Sequence, residues 1–422
     1  MYARDPDDDF VPASTFKLIV GSAALERLGP SFAFSTSVEA VGPIAGGVLN
    51  GDLVLRGRGD AQLSAADLRD AAIAVRAAGI VHVAGDIVAD ASYFSAPRYP
   101  GGWMIDDLPY EYAAVPSALS LDLNVAHVSV RPGLDAGSPA ELLAGTTGGA
   151  FTIANHAITG RRGTEDSTDV ARPWNSPTEI DVTGSYPLGA ELSDDLEPAV
   201  PDPPAYAAGV FREALGSQGV AVTGGIRYTS ATTGTRLWQH WSKPLRTLLS
   251  DFWRPSVNLI GEQLLETLAV ATIPAALDDD RAAGITVEND WLRSIGIDPR
   301  TVAIADGSGL SAYDRITPRA LVAILASGWH GRYRTTLLAA LPVAGRSGTL
   351  VNDFTEAPLA GAIIAKTGTT NHARLLAGYA RRTDGSTTIF ALMIENWMDD
   401  RPGADARLNR IREAVLRALT GS

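Results

Sequence analysis

The texture of this sequence changes twice, and no other feature limits its possible folds as much. The stretch up to Gly29, and everything from about Leu237 onward, carries long helices and strong hairpin signals. Between them lie roughly 200 residues of short β-rich runs broken by Gly, Pro, Thr, Asp and Ser. This pattern predicts one α/β body split by a large insertion. The first stretch, "VPASTFKLIV", reads as a helix start, with Ser14 as N-cap and Gly29 as the stop after Leu28. Phe16, Leu18, Ile19, Val20, Ala23 and Leu25 leave that helix no clear polar face, so it is expected to be buried.

Within the insertion, "GGVLNGDLVLRGRGD" carries the signal of a hairpin turning at Asn50-Gly51. "SAADLRDAAIAVRAAG" follows as a helix and "IVHVAGDIVAD" as a strand. Beyond it, "KPLRTLLSDFW", "SVNLIGEQLLETLAVATI" and "TPRALVAILASGW" read as helices, the last with Pro318 in its first turn. A strand, "GAIIAKTGT", precedes a hairpin turning at Asp384-Gly385. A final helix sets Leu408, Ile411, Val415, Leu416 and Leu419 at helical spacing, an apolar stripe expected to pack on the terminal sheet.

A chain of 422 residues is long for one core and predicts two or three domains. The net charge of −13 argues against nucleic acid as a partner, because phosphate binding wants a basic face. No apolar run approaches the roughly 18–20 residues needed to cross a bilayer. Met1 to Asp9 is polar and acidic, without the apolar segment of a signal peptide. The absence of cysteine removes disulfides, thiol nucleophiles and zinc–thiolate sites together. The histidines show no metal-ligand spacing, so neither metal nor cofactor is expected.

Of 35 basic residues only three are lysines: Lys17, Lys243 and Lys366. In an arginine-rich background each retained lysine is informative. Ser14 and Lys17 are three apart, so on a helix their side chains meet. A serine hydroxyl is a weak nucleophile until a base takes its proton, and a lysine with a lowered pKa can be that base where arginine cannot. The same short pattern also describes a snorkelling lysine beside an N-cap serine. Lys366 ends the apolar strand "AIIA" and is followed by Thr367, Gly368 and Thr369. That set suits a carboxylate and a peptide laid along the strand edge, and equally a plain strand-end turn. Ser256 and Asn258 stand just before a helix, where they read either as an N-cap cluster or as polar groups of a site.

Together, Ser-x-x-Lys, Ser-x-Asn and Lys-Thr-Gly occur in the chain order of penicillin-binding proteins and class A β-lactamases. The sequence resembles one branch of that group: the serine-type D-Ala-D-Ala carboxypeptidases of the class C low-molecular-mass penicillin-binding proteins, peptidase family S13. "FVPASTFKL", "LRGRGDAQLS", "SVNLIGEQLL", "DGSGLSAYDRITP", "LPVAGRSGTL" and "AKTGTT…LLAGYA" all look like that family, in its order. Ser256 lies 242 positions after Ser14, a gap far longer than in ordinary β-lactamases.

The resemblance implies an α/β (α+β) fold: a β-lactamase-like transpeptidase domain, its antiparallel sheet flanked by helices, interrupted by a large mainly-β insertion. Residues 1–36 and 240–422 would form the catalytic domain, 37–58 and 140–239 an inserted β-rich domain, and 59–139 a second, nested α/β domain. Ser14 would be the acylated nucleophile and Lys17 its base. Ser256 would relay a proton to the leaving D-alanine, and Asn258 would hold the peptide amide. Lys366 would supply positive charge that keeps Lys17 neutral, with Thr367 and Thr369 binding the terminal carboxylate. The N–H groups of Ser14 and Thr369 would form the oxyanion hole. Trp103 and Asp106 resemble a family segment that reaches toward the cleft, where Asp106 would meet the amine of a diaminopimelate side chain.

The implied substrate is a peptidoglycan stem peptide ending in D-Ala-D-Ala, cleaved by a carboxypeptidase, with DD-endopeptidase action as an additional option. β-Lactams would be covalent inhibitors, and the setting would be extracytoplasmic, periplasm or cell surface. The rival readings are a β-lactamase, D-aminopeptidase or esterase on the same scaffold, or a non-catalytic penicillin-binding sensor. Two departures stand out: Ala312 follows "SGLS" where relatives often have a basic residue, and His372 next to the Lys-Thr-Gly strand reads as a surface histidine. The family also carries a signal peptide and a sheet strand upstream of the nucleophile, where this sequence has thirteen residues.

Overall fold

The computed structural model describes residues 2–273, 278–396 and 403–421. They form two compact units. The first comprises Met1–Phe32, Pro100–Trp103 and Lys243–Ser422; the second, Ala33–Tyr99 and Met104–Ser242.

The first unit holds seven helices of interest: α1 (Lys17–Arg27), α2 (Leu245–Trp253), α3 (Asn258–Thr272), α4 (Asp280–Ser294), α5 (Pro318–His330), α6 (Arg334–Ala340) and α7 (Ala404–Thr420). An antiparallel sheet accompanies them, with β1 (Ile363–Thr370), β2 (Ala373–Arg381) and β3 (Thr387–Glu395) in that spatial order. The β2–β3 hairpin turns at Asp384-Gly385, with Gly385 at φ 84°. Every residue of α1 from Lys17 to Leu25 is buried, as its all-round apolar pattern requires. Gly21 is needed there, because a Cβ would stand 2.4 Å from the Trp253 ring. The same tryptophan donates its indole N–H to the Lys17 carbonyl at 3.0 Å, which locks the start of α1 against α2.

Two expectations for this unit need correction. Ser14 is not an N-cap: it lies inside a 3-10 turn, Ala13–Phe16, that leads into α1, and no side chain caps either element. The turn is forced by Ala13, whose φ of 44° is left-handed. In α7, Leu408 and Leu416 are buried, and Leu416 joins Ile363, Ala365, Leu376 and Phe390 in one apolar cluster. Ile411, expected in the same stripe, is 52% exposed.

The second unit is built on a five-stranded sheet. Its spatial order is Ile226–Tyr228, Ile87–Asp90, Asp52–Gly57, Ser35–Val41 and Thr235–Trp241. Helices Ala65–Ala77 and Pro203–Ser217 share one core with it, in which Leu53, Leu55, Leu68, Val75, Phe211 and Leu215 meet. A smaller cluster joins Val128, Val130, Val170, Val182 and Tyr186.

The hairpin expected at Asn50-Gly51 is not formed. Val48–Leu49 pairs with Ile44–Ala45 and His82–Val83, whereas Asp52–Gly57 pairs with Ser35–Val41, so Asn50-Gly51 carries the chain from one sheet to another. The tight turn sits at Gly46-Gly47 instead. Gly51 is kept by close approach rather than by turn geometry, since a Cβ would lie 1.9 Å from the Val41 carbonyl oxygen. Likewise "IVHVAGDIVAD" is two strands in two sheets, His82–Val83 and Ile87–Asp90.

Candidate active site

Four polar side chains converge in the first unit. Lys17 is fully buried, and its Nζ donates to Ser14 Oγ at 2.8 Å and to the Ser308 carbonyl at 2.7 Å. Lys366, in β1, is also fully buried; its Nζ donates to Ser256 Oγ at 2.9 Å and to the Thr367 carbonyl at 3.0 Å. The two serines are presented by strained backbone. Ala13, just before Ser14, has φ 44°, and Ser256 itself has φ 68°, in a turn that the Val257 N–H closes onto the Phe252 carbonyl at 3.1 Å. Asn258 is the first residue of α3 and is buried.

The β1 strand runs against the Ser14 turn. A Cβ on Gly368 would sit 2.9 Å from the Pro12 carbonyl oxygen and 3.2 Å from the Thr15 nitrogen, so only glycine allows this approach. A cleft of about 480 Å³ opens here, with Ser14, Ser256, Thr349, Thr367, Gly368 and Thr369 in its wall. Thr349 and Thr367 meet through their hydroxyls at 2.7 Å. Thr349 was not singled out by the sequence reading. It lies in "LPVAGRSGTL", the stretch similar to the family, and a lone threonine there gives no chemical signal of its own.

The electrostatics of the two lysines differ. Lys17 falls from 10.5 to about 7, because burial outweighs the upward pull of Asp306, Glu262 and Asp314. Burial and then the charge of Lys17 push Lys366 well below its usual range. The surrounding acids thus favour the proton on Lys17. Glu262 is itself raised to about 8, first by burial and then by Asp306, and it accepts the Gly307 N–H at 3.1 Å. Burial likewise lifts Asp314 and Glu288 far above the carboxylate range.

The remaining candidates fall in different places. Trp103 belongs to the first unit, half-buried, and gives its indole N–H to Asp306 Oδ2 at 2.8 Å. Asp106 belongs to the second unit and is exposed in the one-turn helix Ile105–Asp107. His372 is exposed.

A serine is thus bonded to one buried lysine, and a second serine to a second buried lysine on β1. The profile of the D-Ala-D-Ala carboxypeptidase 3 (S13) family matches residues 1–415. The chain belongs to this family. It is 35% identical over 401 residues to a D-alanyl-D-alanine carboxypeptidase of Actinomadura sp. (strain R39), covering 91% of this chain and 73% of the relative. It is 28% identical over 400 residues to D-alanyl-D-alanine carboxypeptidase DacB of Haemophilus influenzae, covering 91% and 80%. The crystal structure of penicillin binding protein 4 (dacB) from Haemophilus influenzae matches all of this chain and 93% of its own, with TM-score 0.89 and 24% identity. That likeness shows the fold, a β-lactamase-like penicillin-binding fold. Among the described residues no helix is long and apolar enough to cross a membrane.

Proposed function

We propose that this S13 chain is a serine D-Ala-D-Ala carboxypeptidase that cleaves peptidoglycan stem peptides through an acyl-enzyme on Ser14. The observation that carries the reading is the 2.8 Å contact of Ser14 Oγ with a buried lysine whose pKa has fallen to about 7. Such a lysine is neutral often enough near neutral pH to take a hydroxyl proton.

Ser14 Oγ attacks the carbonyl of the penultimate D-alanine while Lys17 accepts its proton. The N–H groups of Ser14 and Thr369 face the developing oxyanion. The C–N bond then breaks as Ser256, bonded to Lys366, gives its proton to the departing amine nitrogen and takes in its place the proton that Lys17 accepted. Asn258 holds the peptide amide. Water hydrolyses the ester and returns Ser14 to its resting form.

The terminal carboxylate of the substrate binds where Thr349 and Thr367 meet, with Thr369 beside them. An anion there favours the charged form of Lys366, against the burial that disfavours it. A charged Lys366 repels a proton from Lys17, so substrate arrival makes Lys17 a readier base. Trp103 and Asp106 are proposed contacts for the rest of the stem peptide, with Asp106 toward a side-chain amine. The working compartment is extracytoplasmic, and β-lactams act as covalent inhibitors because they mimic the dipeptide and leave Ser14 slowly.

The test is intact mass after incubation with penicillin, for the wild type and Ser14→Ala, alongside D-alanine release from a pentapeptide ending in D-Ala-D-Ala. A wild-type adduct missing from Ser14→Ala, with D-alanine release, is the expected result. No adduct, or the same adduct on both proteins, overturns the reading. Rapid turnover of a chromogenic cephalosporin would favour a β-lactamase, and an adduct without D-alanine release a sensor.

A further inference from the structure

The loop Asp306–Ser311, within "DGSGLS", takes no part in the steps above, yet it touches three parts of the site. Its Asp306 carboxylate is completely buried and receives five donors. They are the N–H groups of Gly309 at 2.6 Å, Ser311 at 2.7 Å and Ser308 at 3.0 Å, the Ser308 hydroxyl at 3.2 Å and the Trp103 indole N–H at 2.8 Å. Five donors on two oxygens require a group that only accepts.

The loop shaped this way reaches out in three directions. Its Ser308 carbonyl accepts Lys17 Nζ at 2.7 Å. Its Gly309, at φ 80°, backs so closely on the strained turn before Ser14 that a Cβ would lie 2.0 Å from the Ala13 carbonyl oxygen. Its Ser311 hydroxyl donates to the Gly101 carbonyl at 2.7 Å, and the Ala312 N–H to the Gly102 carbonyl at 3.0 Å, which fixes the strand of chain carrying Trp103. The Gly307 N–H to Glu262 anchors the loop to α3, one turn beyond Asn258.

We propose that Asp306 is a positioning residue for acylation: it sets the Ser308 carbonyl that aims Lys17 at Ser14 and, through the same carboxylate, holds Trp103. This rests on the reading of Ser14 and Lys17 as nucleophile and base. A lysine Nζ on a flexible stem needs a fixed second acceptor to stay in line with the hydroxyl it serves. Asp306 acts on Lys17 in a second way. It is the first of the carboxyl groups that raise Lys17, ahead of Glu262 and Asp314, whereas Lys366 is the cation that faces it. Position and charge therefore leave different marks in a pH profile.

The experiment measures the acylation rate of the full chain by a chromogenic cephalosporin from pH 5 to 9, with intact mass locating the adduct. Asp306→Asn keeps the shape but replaces one acceptor oxygen by a donor and removes the charge. The plateau rate is expected to fall about 10- to 100-fold. The acidic limb is expected to move to lower pH, because the charge that held the proton on Lys17 is gone. Wild-type rate and limb, or a uniform fall with an unmoved limb, overturn the proposal.

Should Asp306→Asn fail to fold, Ser308→Ala decides. It removes one donor to the carboxylate and leaves the Ser308 carbonyl in place. A loss of a few-fold is expected, with the limb moved the opposite way, since a less neutralised carboxylate holds the Lys17 proton more firmly. An unchanged rate and limb in Ser308→Ala overturns the proposal. A wild-type adduct on a residue other than Ser14 sinks the parent reading, and this inference with it. A normal Ser14 adduct with unresponsive variants sinks the inference alone.

Discussion

Lys17 Nζ stands 2.8 Å from Ser14 Oγ and is held there from behind by a backbone carbonyl rather than by a carboxylate. A carbonyl fixes the amine without favouring its charge as an ion pair would. Lys17→Arg keeps a cation but cannot release a proton. Its acylation by penicillin is expected to fall by about 10²- to 10⁴-fold, the usual contribution of a general base. Intact-mass time courses check this; a near-normal rate would remove Lys17 from the base role.

The pH profile of the wild type follows from the same pair. Burial lowers Lys17 to about 7, and only the neutral amine accepts a proton. Acylation should therefore rise with pH through about 7 and level off above it, falling roughly tenfold per unit on the acid side. A rate flat between pH 5.5 and 8.5 would contradict the assignment.

Thr349→Val removes one hydroxyl of the 2.7 Å pair with Thr367 while keeping the side-chain shape. A lost hydrogen bond to a charged group is worth about 1.5–3 kcal/mol, so kcat/KM for a peptide ending in a free carboxylate should drop about 10- to 100-fold. The same peptide capped as an amide should change little. Equal losses on both would place the carboxylate elsewhere.

Glu262 offers a stability test. Its folded value of about 8 lies above the ordinary 4.5, so the folded chain retains a proton that the unfolded chain releases. Stability contributed in this way is complete below pH 4.5 and is lost as pH rises toward 8, at about 1.4 kcal/mol per unit. Glu262→Gln keeps an acceptor for the Gly307 N–H but does not titrate. The variant's Tm should match the wild type at pH 4 and exceed it increasingly toward pH 8. Parallel Tm curves would show that Glu262 ionises freely.

The chemistry of the site was legible in the sequence because it depends on residue types that nothing else supplies. Ser14 and Lys17, and Lys366 with its threonines, sit within short local spans that the 3-10 turn and β1 preserve. The gathering of Ser256 toward Lys366 could be inferred only through family resemblance, since 110 positions separate them. Asp306 was out of reach for a different reason: an aspartate beside glycines and serines has the composition of any loop, and only the fold turns five donors toward it. Sheet topology was the least legible. Asn50-Gly51 carries the strongest local hairpin signal, yet long-range pairing placed its flanking strands in separate sheets. The non-standard backbone at Ala13 and Ser256 had no signal either, because neither residue type favours left-handed φ.

The burial of two of the three lysines gives this protein an unusual surface chemistry. Lys17 and Lys366 have no exposed area, whereas the Lys243 side chain is 55% exposed. Among the lysine side chains, an amine-reactive dye or resin used on the folded chain meets Lys243 and no other. Among the lysines, attachment therefore falls on Lys243, just before α2, and leaves the buried Lys17 and Lys366 untouched.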